Sequence, residues 1–96
     1  MSRLDTIRSF RAQLLHAAEE HGAHNVRIFG SVARGTERED SDLDVLIELD
    51  PDRSLFDLVD LHFALEDIVG GKVEVVTERG LSPYLRDRIL SEAVPL

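Results

Sequence analysis

Two aspartates one residue apart, Asp42 and Asp44, are the side chains in this 96-residue chain best placed to do chemistry. In an extended strand side chains alternate faces, so both carboxylates project to one side while Leu43 and Val45 point to the other. Like charges held that close repel unless a cation joins them, and an all-oxygen donor set suits Mg²⁺. Upstream stands Gly30-Ser31. A glycine there lets backbone approach a ligand closely, and the serine adds a hydroxyl beside freed backbone N–H groups, a combination that suits phosphate oxygens. Glu74 is a third acid of interest, because it interrupts an otherwise apolar strand between Val73 and Val75. It has two readings: the solvent face of an edge strand, or a partner for the aspartates on a neighbouring strand.

Elements able to position these groups follow from periodicity. Leu4, Ile7, Phe10, Leu14, Leu15 and Ala18 fall at helical spacing from Ser2 to about His21. Ser2 and Asp5 fit a capping box, and Gly22 is a stop signal. Asn25 to Phe29 reads as a strand, Val32 to Arg34 as a first helical turn, Thr36 to Ser41 as a charged loop, and Asp42 to Leu49 as a second strand closed by Pro51. Ser54 to Val69 is a long amphipathic helix with its own Ser54/Asp57 capping box and a Gly70-Gly71 end. A third strand over Lys72 to Thr77 and a last helix from Pro83 to about Ala93, capped by Ser82, complete the order. This predicts an α/β two-layer (α+β) fold, a small mixed sheet of three or four strands packed against helices.

Composition narrows the function classes. The chain is long enough for one domain with a modest core. Its 43% hydrophobic and 31% charged content is ordinary for a globular protein, and no apolar run reaches membrane-spanning length. No signal peptide opens the sequence, so a cytoplasmic location and no membrane contact are expected. Without cysteine there are no disulfides and no thiolate metal sites. A net charge of −8 argues against direct nucleic-acid binding, where phosphate neutralisation dominates affinity.

Other acidic and glycine-rich motifs do not fit. Asp40, Asp42 and Asp44 have the opening spacing of an EF-hand, but its sixth position is Val45 and its twelfth Pro51. No Gly-Lys-Ser/Thr follows Gly30, which excludes a P-loop. The four histidines, His16, His21, His24 and His62, lack ligand spacing and read as helix surface or packing. Tyr84, beside a helix start, reads as a half-buried packing residue.

The two-part pattern Gly-Ser-x-Ala-Arg-Gly, then Ser-Asp-x-Asp and apolar residues, resembles the signature of the polymerase-β-like nucleotidyltransferase superfamily, and at this length it is most similar to the minimal nucleotidyltransferase (MNT) domain. The resemblance covers residues 1–96 as a single MNT domain and implies a Mg²⁺-dependent transfer of AMP from ATP with release of pyrophosphate. Asp42, Asp44 and Glu74 would hold the metal, two ions about 3.5–4 Å apart in such sites. Gly30 and Ser31 would bind the distal phosphates, and Arg34 would neutralise triphosphate charge. Similar proteins are antitoxins that pair with HEPN-domain ribonuclease toxins and modify a toxin tyrosine, which implies a hetero-oligomer. Two other functions stay open: an antitoxin that blocks its partner by binding alone, and a small-molecule, aminoglycoside-type nucleotidyltransferase subunit.

Overall fold

The computed structural model describes residues 2–96. Its first helix starts where the sequence places it. The Ser2 hydroxyl accepts from Asp5 N–H and the Asp5 carboxylate accepts from Ser2 N–H, closing the capping box ahead of α1 (Arg3–Arg8). The single helix expected from Ser2 to His21 is in fact two, α1 and α2 (Arg11–Glu20). The break falls at Ser9-Phe10. Ser9 turns its hydroxyl onto the Thr6 carbonyl, and Phe10 N–H donates to Ile7 O at 3.0 Å, three residues back rather than four. A serine that competes for backbone acceptors tightens the turn and redirects the chain.

Strand β1 (Ala23–Phe29) begins two residues before its expected start. Asn25 adopts φ 52°, and the pairing register shifts between His24 and Arg27. This bulge breaks the two-residue alternation that would have revealed Ala23 and His24 as strand. Helix α3 (Gly30–Arg34) follows at once and ends at Gly35, φ +73°. Strand β2 (Leu43–Leu49) runs antiparallel to β1, so Asp42 stands just outside the strand that was expected to contain it. Helix α4 (Leu55–Val69) opens on the Ser54/Asp57 capping box and stops at left-handed Gly70. It provides the crossover that lets β3 (Val73–Thr77) pair with β2 in parallel. A 3₁₀ turn (Glu78–Gly80) leads to α5 (Pro83–Glu92), where the Ser82 hydroxyl accepts from Tyr84 N–H.

A fourth strand, β4 (Val94–Pro95), pairs antiparallel with β1 and was not visible in the sequence. Two residues carry no periodicity, and proline is tolerated because this strand lies at the sheet edge. The sheet order is β3-β2-β1-β4.

The expected two-layer arrangement holds. Val26 and Ile28 of β1, Leu43, Val45 and Ile47 of β2, and Val73 of β3 pack in one core with Leu14, Ala17 and Ala18 of α2 and Leu61 and Leu65 of α4. Each fully buried leucine or isoleucine contributes about 1.5–3 kcal/mol by leaving water. Alternation sends Asp44, Leu46, Phe29 and Arg27 to the opposite face, where Phe29 and Leu46 are buried outside that core. Tyr84 is 96% exposed, not half-buried: its ring projects from the first turn of α5. No helix among the described residues is long and apolar enough to cross a membrane.

Candidate active site

The sheet brings two of the three candidate acids side by side. In the β2–β3 ladder Asp44 is directly opposite Glu74. β3 is an edge strand, and its exposed Glu74 is the register partner of Asp44. Asp42, exposed and just ahead of β2, is near enough for its charge to act on Asp44. Partial burial is the largest influence on Asp44, followed by the Glu74 charge, proton sharing with that carboxyl, and the Asp42 charge. Together they raise the Asp44 carboxyl to about 6, and Arg34 offsets them only in part.

On the other side of Asp44 lies the end of β1. Phe29 pairs with Asp44, and Gly30 follows with φ +72°. A β-carbon at Gly30 would stand 2.1 Å from Asp44 Oδ2, closer than atoms can approach. The Gly30 backbone therefore lies directly against the carboxylate, and only glycine satisfies both the left-handed angle and that distance. Ser31 follows in the first turn of α3 and is half-buried. Gly30, Asp44 and Glu74 thus lie together at one end of the sheet, with Ser31 next in the chain.

Arg34, which the sequence reading gives to the triphosphate, is paired within the chain. Its Nη1 donates to both carboxylate oxygens of Glu92, at 3.1 and 2.9 Å. Glu92 Oε1 also accepts from Gly30 N–H at 3.1 Å. Burial alone would raise the Glu92 carboxyl, but Arg34 and the Gly30 amide outweigh it and hold the group below its usual range. Sequence reasoning missed Glu92. Its one local signal is weak: a carboxylate in the last turn of a helix opposes the macrodipole and so needs a partner elsewhere.

Among the described residues, no three histidine or acidic side chains form a ready metal-binding cluster. The donor chemistry nonetheless fits a hard divalent cation. The acids are all oxygen donors, and Asp44 is pushed toward neutrality by burial and by the like charges of Glu74 and Asp42, a strain that a bound cation relieves. A surface groove lies elsewhere, at the other end of the sheet, between His24, Glu48, Arg53, Glu78 and Arg86. Its acids are already paired with arginine or histidine side chains.

The sequence model of the nucleotidyltransferase domain family matches residues 11–96, and the chain belongs to that family. Among its relatives, a Methanocaldococcus jannaschii protein provisionally named a protein adenylyltransferase is 41% identical over 92% of this chain and 95% of its own length. The protein adenylyltransferase MntA of Thermococcus cleftensis is 33% identical over 79% of this chain and 77% of its own. A solved structure provisionally described as a minimal nucleotidyltransferase superposes with a TM-score of 0.88 at 50% identity, covering 100% of this chain and 97% of that one. A toxin–antitoxin structure with AMP-PNP shares the fold at a TM-score of 0.74 and 17% identity, over 88% of this chain and 69% of that one. This chain is therefore a nucleotidyltransferase with the minimal nucleotidyltransferase fold.

Proposed function

We propose that this protein is a protein adenylyltransferase acting as an antitoxin: it transfers AMP from ATP to a tyrosine of a HEPN-type ribonuclease toxin and thereby neutralises it. The observation that carries the reading is the Asp44–Glu74 pair with Gly30 pressed against Asp44. Relatives named as protein adenylyltransferases support the class of acceptor. The antitoxin role and the HEPN partner follow from the Gly-Ser and Asp-x-Asp resemblance. A protein partner also suits α4, where Leu55, Phe56, Val59 and Phe63 are exposed. The domain is read as residues 1–96, because α1 belongs to it: Ile7 joins the core, and Arg3 donates to the carbonyl of Ser41, next to Asp42.

In this scheme Asp42, Asp44 and Glu74 hold Mg²⁺, which when bound neutralises triphosphate charge and acidifies the acceptor hydroxyl. Gly30 and Ser31 seat the distal phosphates, and Gly30 keeps the approach to Asp44 free of a side chain. The tyrosine oxygen bonds to the α-phosphorus as the bond from that phosphorus to the β-phosphate oxygen breaks, and pyrophosphate leaves. The hydroxyl proton passes to Glu74, the solvent-exposed strand carboxylate, and from there to water.

The test is the intact mass of a co-expressed HEPN-domain partner after incubation with Mg²⁺ and ATP, beside Asp44→Asn. Mass gains in AMP-sized steps with the wild type alone support the reading. A stable complex without mass gain refutes transfer and leaves inhibition by binding. Turnover of a free aminoglycoside instead moves the acceptor to small molecules.

A further inference from the structure

The contacts of Glu92 form a junction that the transfer scheme does not explain. One carboxylate, carried by the last residue of α5, receives hydrogen bonds from Gly30 N–H and from Arg34 across 62 and 58 residues of sequence. The proposed function gives Gly30 to the distal phosphates, and the family resemblance gives Arg34 to the triphosphate charge. A side chain that is 17% exposed and held by an arginine and a backbone amide is a well-seated anion, not a solvated surface charge.

We infer that Glu92 is an internal competitor for the nucleotide's phosphates, a side-chain latch that must release Gly30 and Arg34 before the triphosphate can take them. The inference rests on the nucleotidyl-transfer reading of the same site. Two observations and a charge argument support it. Arg34 binds Glu92 and lies near enough for its charge to act on Asp44, so it can exchange one anion for another without leaving the site. A triphosphate brings several negative charges to donors that now serve one carboxylate, and a Glu92 that stayed in place would oppose it. The backbone beneath Glu92 is tied down: Ala93 N–H donates to Ile89 O at 2.9 Å, and Val94 pairs with Ile28 in β1, the strand that ends one residue before Gly30. Release is therefore a rotation of one side chain on a fixed backbone, and the carboxylate returns as product leaves.

The latch lowers apparent nucleotide affinity by the fraction of molecules in which it is closed. Titration calorimetry with Mg²⁺–AMP-PNP tests this on the full chain. Glu92→Gln keeps the shape and loses the charge, and is expected to bind about tenfold tighter than wild type. Arg34→Ala is expected to bind more weakly, and adding Glu92→Gln to it should restore much less than it gains in the wild-type background. Equal or weaker binding by a folded Glu92→Gln overturns the latch. A wild-type measurement covers the case of a variant that does not fold. Saturation with pyrophosphate should shift the Gly30 amide and Glu92 carboxyl resonances together in NMR spectra. Shifts around Asp44 that leave Gly30 and Glu92 unmoved refute the latch and spare the functional reading. If no nucleotide or pyrophosphate binds the wild type at all, both fall.

Discussion

Two acidic clusters occupy opposite ends of the sheet and have opposite electrostatics. At one end Glu78 receives Arg27 at 3.0 Å and Arg86 at 3.2 Å, and the Arg27 hydrogen bond leads the contributions that hold its carboxyl below the usual range. At the other end Asp44 faces Glu74 and Asp42, and burial with those like charges lifts it to about 6. The first cluster is finished, with its charges matched inside the chain. The second keeps like charges side by side, and in the proposed function it is this end that takes a cation and a nucleotide from outside. Number of acids does not separate the two ends; what their cations bind does, since Arg27 and Arg86 sit on Glu78 whereas Arg34 is bonded to Glu92 and not to Asp44.

The contrast is sharpest if Asp44 is essential where Glu78 is not. Asp44→Asn is expected to cut transfer to a partner protein at least about a thousandfold in single-turnover assays. A loss under tenfold would mean that the strained end is not the reacting one. Next in size is Gly30→Ala, where a left-handed angle and a 2.1 Å overlap with Asp44 Oδ2 combine. It should cost about 2 kcal/mol or more in urea unfolding and abolish transfer. Gly35→Ala is the control, since it shares a φ of +73° with nothing within 4 Å, and should cost nearer about 1 kcal/mol.

The pH dependence of stability gives a smaller effect with a definite sign. Asp44 binds its proton more tightly in the folded chain than at its ordinary value of 3.8, so folding is progressively penalised as pH rises from there through about 6. In chelator-containing buffer at pH 7, Asp44→Asn should therefore stabilise the fold, by about 1 kcal/mol once solvent screening of this half-exposed group is allowed for. The gain should vanish below pH 4, and a loss at pH 7 would contradict the strained-cluster picture. The smallest expected effect belongs to Glu78→Gln. Its carboxyl is lowered, so its stabilisation exists above the ordinary glutamate range and disappears as pH falls through the folded value. A slight drop in Tm at pH 7, absent in acid, with transfer unchanged, is the expected result.

Much of this was readable because local chemistry decides it. Ser54, Gly70, Ser82 and Pro83 each act within a few residues, and each element boundary they mark is observed within one or two positions. The Gly30-Ser31 and Asp42/Asp44 elements are likewise properties of one strand end and one strand start. The split at Ser9 was hidden because a mid-helix serine leaves the apolar spacing intact. The Asn25 bulge was hidden because it breaks the alternation that signals a strand. Glu92 was illegible for a deeper reason: its meaning lies entirely in partners about sixty residues away, and nothing beside it in the chain reports them.

The edge position of β3 has a consequence for how the protein acquires its activity. Glu74 is held beside Asp44 by a single parallel ladder, which closes only after the chain has passed through the whole of α4. Such distant pairings form late in folding, and a slip of one residue would turn Glu74 to the core face and set Val73 or Val75 beside Asp44. A misregistered chain would keep most of its helices and lose the acid pair. Under the proposed function, enzymatic competence is thus a fidelity check on strand register: a preparation's specific activity would count correctly zipped molecules, which a helix-dominated circular dichroism spectrum does not.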